Sequence, residues 1–303
     1  MLNPDFWKGR KVFVTGHTGF KGSWLCLWLH RLGAQVTGYA LKPPSDPNLF
    51  EMARVAELIT HHHGDVRELA PLEAALAAAQ PEIVIHMAAQ SLVRYSYNEP
   101  VETFATNVLG TVHALDAVRR TPSVRAVVIV TSDKCYFNEE WVWGYREDSR
   151  LGGHDPYSAS KGAAELVVTA YQNSFFSKER NVNAPAVGSA RAGNVIGGGD
   201  WALDRLVPDI LRSLLKNEPT VIRSPQATRP WQHVMEPLHG YLMLAERLYT
   251  EGHQYASGWN FGPPEESERT VGWIIEQLYD LWQPAGWMLR EPPARDLDWL
   301  KRG

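Results

Sequence analysis

Lys11-Val-Phe-Val-Thr15, running into Gly16-His-Thr-Gly19-Phe-Lys-Gly22, is the stretch that decides the fold. The first five residues form a short apolar run closed by glycine, the pattern of a buried strand. Trp24 to Leu32 then carries apolar residues at helical spacing until Gly33 stops it. Strand, tight turn and helix in that order put the GxxGxxG spacing where a dinucleotide is held. Glycine lets the turn close, lets backbone approach a pyrophosphate, and lets the helix's free amides and partial positive charge face that anion. Thr18, Phe20 and Lys21 fill the turn and join Gly16, Gly19 and Gly22 as candidate cofactor contacts.

Outward from this turn the pattern repeats. Ala34 to Ala40 reads as a second strand, Leu58 to His62 as a third, Ile83 to Met87 as a fourth and Ala126 to Val130 as a fifth, with an alanine-rich helix over Leu72 to Ala79. Strands alternating with helices imply an α/β fold of Rossmann type, a doubly wound parallel sheet. After about Arg191 the pattern turns irregular, with Gly197-Gly-Gly-Asp-Trp201, several prolines, and helices only around Pro208 to Lys216, Pro237 to Tyr249 and Val271 to Trp282. The expected division is a nucleotide-binding domain over residues 1–190 plus about 229–262. A smaller, irregular substrate-binding part takes about 191–228 and 263–303.

Composition narrows the function. A chain of 303 residues, 44% of them hydrophobic, buries a large core, and a net charge of −4 with no basic block gives nucleic-acid binding no electrostatic support. A small ligand is the better expectation. Cys26 and Cys135 form no CxxC pair and no disulfide framework, which suits a reducing compartment. The longest apolar runs fall far short of a membrane span, so a cytoplasmic enzyme without a membrane partner is expected. His61-His-His63 suggests a metal, but neighbours on a strand point to opposite faces and nothing completes a ligand set; no metal is expected.

The dinucleotide signature usually includes an acidic residue at the end of the second strand, yet the sequence there is Tyr39-Ala-Leu-Lys42. Lys42 could attract a ribose phosphate; NAD stays ahead of NADP as the expected cofactor. Asp65 and Val66, after the third strand, stand where an adenine contact is expected. Tyr157-Ser-Ala-Ser-Lys161 follows Asp155-Pro156 at a helix start, which puts phenol and ammonium one turn apart on one face. The ammonium there favours the phenolate and positions a nicotinamide ribose. Asp133 and Lys134 add two adjacent proton-transfer groups at a strand end.

Thr15-Gly-His-Thr-Gly-Phe-Lys-Gly22, His86-Met-Ala-Ala-Gln90, Thr131-Ser-Asp-Lys-Cys-Tyr136, Tyr157-Ser-Ala-Ser-Lys161 and Arg191-Ala-Gly-Asn-Val-Ile-Gly-Gly-Gly-Asp-Trp201 together resemble the extended short-chain dehydrogenase/reductase superfamily. Within it they resemble the nucleotide-sugar 4,6-dehydratases, and Thr-Ser-Asp-Lys-Cys-Tyr is the discriminating part. The resemblance implies CDP-glucose or a related nucleotide sugar as substrate, a 4-keto-6-deoxy product for dideoxysugar and surface-polysaccharide synthesis, and a homodimer. It implies that Tyr157 takes the 4-hydroxyl proton, that Thr131 hydrogen-bonds near that hydroxyl, and that Asp133 is the acid for the departing 6-hydroxyl. Lys134 then acts at C5, as base or as stabiliser of the enolate. It implies Ala88, Ala89 and Gln90 beside the nicotinamide, with His86 there or packed in the core, and Asn107 as the superfamily's active-site asparagine.

Asn194, Arg205, Leu206, Arg223, Arg229 and Asn260 become the substrate contacts that the resemblance implies, with arginine suited to a diphosphate. Trp141 and Trp143 are candidates for a loop over the site, whereas Trp24, Trp28 and Trp282 are expected in the core. The resemblance further implies a C-terminal stretch beyond Gly303, of which Arg295-Asp-Leu-Asp-Trp299 is similar to the start. A 4-epimerase would share the glycine turn and Tyr157 with Lys161 but needs no acid at C6, so Asp133 and Lys134 argue against it. A non-catalytic dinucleotide-binding regulator would not need the Tyr-Lys pair.

Overall fold

The computed structural model describes residues 2–282 apart from 142, 180 and 223. Arg223, and Arg295 to Trp299, lie outside the described residues. Among the described residues, seven strands form one parallel sheet: β1 (Lys11–Thr15), β2 (Gln35–Ala40), β3 (Thr60–His63), β4 (Ile83–His86), β5 (Ala126–Val130), β6 (Ala186–Ala192) and β7 (Gly258–Phe261). Their spatial order is β7-β6-β5-β4-β1-β2-β3, so the order reverses between β1 and β4. That reversal opens the crevice at the carboxyl ends of the strands where parallel α/β sheets hold ligands.

The sheet's two faces follow from the period of two along each strand. Val12 and Val14 pack with Ile83, Ile85, Val128, Leu25 and Leu29 on one face, while Phe13 packs with Val84, Val127, Leu72, Leu76 and Leu115 on the other. Helices α1 (Phe20–Arg31) and α6 (Met235–Thr250) cover the first face. Helices α2 (Leu69–Ala79), α3 (Gly110–Arg119) and α4 (Pro156–Ser174) cover the second. With both faces covered, the strands are buried along nearly their whole length, as in all-parallel sheets. Edge strand β3, by contrast, exposes every residue.

The fifth strand and the first lie where the sequence places them; the third is shifted to start at Thr60 because residues 55–57 form a 3-10 turn that precedes it. The irregular region after Arg191 returns one strand to the sheet. β7 pairs in parallel with β6, setting Asn260 beside Arg191. The stretch from Pro100 to Arg119 is helical throughout, with a π-helical turn, Ala105–Leu109, set between Pro100–Phe104 and α3.

The chain divides into two compact units, Met1–Trp201 with Gln232–Gly262, and Ala202–Trp231 with the residues from Pro263 onward. In the second, helices α5 (Leu206–Lys216) and α7 (Val271–Leu281) pack Ile210 and Leu214 against Ile275, and the strand Thr228–Pro230 pairs antiparallel with Glu268–Thr270. Among the described residues, no helix is long and apolar enough to cross a membrane.

Trp24 and Trp28 pack against the core while partly exposed; among the described residues the fully buried tryptophan is Trp7, which sequence reading passes over. Its indole Nε1 donates to Glu246 Oε1 over 2.7 Å, and the Asn3 amide donates to the same carboxylate oxygen over 3.0 Å, tying the N-terminus to α6. Removing the indole donor leaves a buried carboxylate short of a partner. Trp7→Phe is therefore expected to lower unfolding free energy by about 1–3 kcal/mol, read from the urea midpoint at unchanged slope.

Candidate active site

The glycine turn is built by close approach. Gly16 has φ +74°, and a Cβ there would lie 2.7 Å from the Ala88 amide nitrogen. A Cβ on Gly22 would fall inside the shell of the Gly16 carbonyl oxygen. Only glycine lets α1 pack this tightly onto the loop. Gly19 caps α1 without any side-chain hydrogen bond, so the first amides of a twelve-residue helix stay available to an anion. Thr18 is buried and turns its hydroxyl away to the Leu41 carbonyl, 2.9 Å off, while Phe20 packs into the core beneath. Lys21 leaves the turn altogether: its Nζ donates to the Tyr241 hydroxyl over 2.7 Å and lies 4.9 Å from that ring's centre.

At the adenosine end Tyr39 is no ribose partner, because its ring is buried and stacks on Phe13 at 6.2 Å. Asp65 is held by Arg67 through backbone and guanidinium at 2.5–2.9 Å. Burial works to raise the Asp65 carboxyl, but the Arg67 hydrogen bonds outweigh it and hold it below the usual range. Val66 is buried in the core, its carbonyl taking His113 Nδ1 at 2.9 Å. His61 pairs with His17 of the glycine turn, Nδ1 to Nε2 at 2.6 Å, and burial, then the charge of His61, pulls His17 down to about 3. These histidines are thus part of the turn's wall.

The strand ends β1 and β4 meet in register at Thr15 and His86. The Thr15 hydroxyl oxygen accepts from the amides of Met87 and Ala88, each at 3.1 Å, so its single proton goes to His86 Nδ1 at 2.8 Å and the imidazole carries its own proton on Nε2. Burial, then the charge of Lys161, holds His86 neutral with a pKa lowered to about 3. Asn107 sits in the π-helical turn, whose extra residue points its amide inward. That amide bridges Gln90 N and O, at 2.8 and 2.9 Å, to Ser160 Oγ at 2.8 Å. Gln90 uses its own side chain on Thr103 and Leu92. Asn107 and Gln90 therefore position the Ala88-Ala89-Gln90 backbone and α4.

Helix α4 starts as the sequence predicts: Asp155 caps Ser158 N at 2.9 Å and Pro156 occupies the first turn. Tyr157 and Lys161 are both buried, one turn apart. Lys161 Nζ donates to the Val130 carbonyl at 3.4 Å, and burial, opposed by the Glu165 charge, lowers its pKa to about 8. Gly162 lets α4 lie against the turn after β5; a Cβ there would sit 3.1 Å from the Cys135 carbonyl. That turn carries Asp133 and Lys134, which lie on a 3-10 turn, Asp133–Cys135, and not on the strand, because β5 ends at Val130 and Ser132 caps the turn through the Lys134 amide. The two side chains stand 3.5 Å apart, each about two-fifths exposed (40% and 39%). Tyr157 and Asp133 both press electrostatically on the buried Tyr241 hydroxyl, which burial already pushes up. The glycine turn is thus linked, through Lys21 and Tyr241, to Tyr157 and Asp133.

A phenol and an ammonium on one helix, an acid and an amine on the adjoining turn, and a helix N-terminus open to a diphosphate are the parts of a nucleotide-sugar dehydratase. The family model described as GDP-mannose 4,6 dehydratase matches residues 13–268. The chain belongs to this family. It is 56% identical over 292 residues to CDP-glucose 4,6-dehydratase of Salmonella typhimurium, an alignment covering 95% of this chain and 81% of that relative. Among solved structures, MoeE5 in complex with UDP-glucuronic acid and NAD is 26% identical with a TM-score of 0.72, covering 89% of this chain and 82% of its own. A UDP-N-acetylglucosamine 4-epimerase from Methanobrevibacter ruminantium shares the fold, with a TM-score of 0.77 at 21% identity over 95% of this chain and 87% of its own.

In this dehydratase-family chain the expected substrate contacts divide. Asn194 follows β6 with its Oδ1 buried and without a hydrogen-bond partner among the described residues. Asn260 is turned elsewhere: its Oδ1 accepts from Tyr136 at 2.7 Å and its Nδ2 donates to the Tyr145 carbonyl at 2.9 Å, so the amide latches the 136–147 loop. That loop carries Trp141 and Trp143, 5.8 Å apart, with Tyr145 stacked on Tyr136 at 5.2 Å. Arg205 caps α5, Leu206 opens it, and Arg229 is exposed on a short strand; all three lie in the second unit. Among the described residues no cluster of three or more His, Cys, Asp or Glu side chains could hold a metal.

Sequence reading missed Glu165, Arg191, Tyr136 and Tyr241 as parts of this end of the sheet. An arginine inside the small apolar strand Ala186-Val-Gly-Ser-Ala-Arg-Ala192 is the signal that could have found the first three.

The Lys161 ammonium supports phenolate chemistry only while protonated. With its pKa near 8, kcat/KM is expected to fall as pH rises through about 8, since the free enzyme loses the charge there. Lys161→Met should lower activity and remove that limb from the rate that remains; a profile flat to pH about 10 in the parent would contradict the assignment.

Proposed function

We propose that the chain is an NAD-dependent CDP-glucose 4,6-dehydratase, converting CDP-glucose to CDP-4-keto-6-deoxyglucose with loss of water. The observation that carries the reading is the Asp133–Lys134 pair, 3.5 Å apart on the turn that α4 packs against beside Tyr157 and Lys161. The 56% identity to the Salmonella typhimurium enzyme supports the substrate.

The residues fit the dinucleotide. Gly16 and Gly22 let backbone close the turn tightly, Gly19 puts no side chain over the uncapped amides of α1 that would take a pyrophosphate, and Lys161 would hold the nicotinamide ribose. Bound NAD supplies the acceptor for hydrogen from C4 and gives it back at C6. Tyr157 takes the proton of the 4-hydroxyl, and the Lys161 ammonium beside it favours the phenolate that does so. The resulting ketone acidifies C5. Lys134 receives the C5 proton while Asp133 gives a proton to the 6-hydroxyl, which departs as water. Lys134 then returns its proton to C5 as C6 is reduced. The proton that Tyr157 took from O4 balances the one Asp133 gave to water, so the sum is substrate to product plus one water.

Purified protein with CDP-glucose and NAD is expected to form a product one water lighter with a carbonyl at C4. Asp133→Asn and Lys134→Met are each expected to lower kcat by about 10²–10⁴-fold while leaving NAD affinity within about threefold, as for loss of a positioned proton donor or acceptor. A 4-epimer of unchanged mass, or full activity in both variants, would contradict the reading.

A second copy of the chain is the expected partner. Val101 and Leu109 are exposed on the segment leading into α3, with Phe104 between them, an apolar patch that suits a helix-to-helix dimer. Light scattering of the parent should give twice the monomer mass, and Val101→Glu with Leu109→Glu should give the monomer; a monomeric parent would overturn the dimer.

A further inference from the structure

Glu165 stands one helical turn beyond Lys161 on α4, 2% exposed, and none of the proton transfers above uses it. Both carboxylate oxygens are engaged. Oε1 accepts the Thr131 hydroxyl proton, while Oε2 accepts from Ser189 Oγ and from Arg191 Nη2, each at 2.7 Å. The Arg191–Glu165 ion pair is buried on both sides, 6% and 2% exposed. Arg191 is itself fixed by donating from Nη1 to Tyr136 at 2.7 Å and to the Glu147 carbonyl at 2.8 Å. A buried carboxylate survives only with such donors, and the guanidinium sets an opposite charge against it.

A hydroxyl has one proton, and Thr131 gives its own to Glu165. Thr131, the residue just past β5, therefore offers an oxygen lone pair as its remaining hydrogen-bonding capacity. We propose that Glu165 is a positioning residue: its carboxylate, held by Arg191 and Ser189, fixes Thr131 as an acceptor-only group for the sugar hydroxyl that is oxidised. This rests on the reading of Thr131, Tyr157 and Lys161 as the oxidation site. An acceptor-only Thr131, together with a Tyr157 phenolate, gives the 4-hydroxyl proton two oxygens to lie between. It holds O4 by its proton and leaves the C4–H bond free to face the cofactor.

The geometry makes Glu165→Gln a discriminating change. Ser189 and Arg191 both donate to the Oε2 position, so the amide oxygen must take that position and the amide nitrogen must face Thr131. The Thr131 proton then has no acceptor there, and its polarity toward the sugar reverses. Charge changes as well. Lys161 is faced by Glu165 and Tyr157 on its own helix, by Cys135 from the 3-10 turn and by His86 from β4. Among the charges that act on it Glu165 raises its pKa, so removing that charge moves the alkaline limb of the pH profile to lower pH.

The test is a double-mutant cycle in kcat with Glu165→Gln, Thr131→Val and both together, beside Glu165→Asp and Tyr157→Phe. Expected is a loss of about 10–100-fold in kcat for Glu165→Gln, as for misplacement of a reacting group. KM and NAD affinity should stay within about threefold, the alkaline limb should move down, and on the pH plateau below that limb the double variant should be no slower than Thr131→Val alone. Glu165→Asp keeps the charge but withdraws it from Thr131, so it should lose kcat with the limb unmoved. It stands as the test on its own if the glutamine variant does not fold. Multiplicative losses in the cycle, or full kcat in Glu165→Asp and Glu165→Gln alike, would overturn the proposal. If Tyr157→Phe remains fully active, the reading of the oxidation site itself fails, whatever Glu165 does.

Discussion

The buried ion pair between Arg191 and Glu165 is the constraint on which the reactive end of the sheet depends. It joins four pieces of chain far apart in sequence: α4 through Glu165, β6 through Arg191 and Ser189, the residue after β5 through Thr131, and the 136–147 loop through Tyr136 and Glu147. Asn260 on β7 closes the set by accepting from Tyr136. Losing one partner of such a pair strands a charge in the interior, at a cost of about 3–5 kcal/mol. The pair is therefore better understood as a device that fixes geometry than as a source of stability.

Around that constraint, placement does the chemistry. A parallel sheet whose order reverses between β1 and β4 must open at its carboxyl ends, and the turns after β1, β4 and β5 all empty there. The turn after β1 needs glycine at 16 and 22 because backbone from β4 and from the turn itself occupies the space of a side chain. The turn after β5 is short and capped by Ser132, which presents Asp133 and Lys134 half-exposed while Thr131 stays buried. Lys161 is a buried ammonium, and its charge near neutral pH depends on burial, which lowers its pKa, against the charge of Glu165, which raises it.

Strands β1, β4 and β5 were legible because they are buried on both faces and so appear as unbroken apolar runs, with glycine punctuation at Gly16 after the first. Tyr157 and Lys161 were legible because a capped helix start fixes their phase. Glu165 was not, since a glutamate four residues after a lysine in a polar helix reads as a solvated pair, and only the position of Arg191 inside a small-residue strand tells otherwise. Asn107 was read as an active-site amide, yet the π-helical turn that points it inward has no periodic signature, and its hydrogen bonds go to Gln90 and Ser160. Asn260 matched a pattern associated with substrate, while its register beside Arg191, a purely tertiary fact, commits the amide to the loop.

The central claim is that this end of the sheet oxidises a sugar at C4, removes water across C5 and C6, and reduces C6 with the hydrogen taken from C4. The most direct measurement is the fate of deuterium placed at C4 of CDP-glucose, followed by NMR of the product. The account predicts deuterium at C6, within the same molecule. Deuterium retained at C4 with inverted configuration, or washed out into solvent, would contradict it.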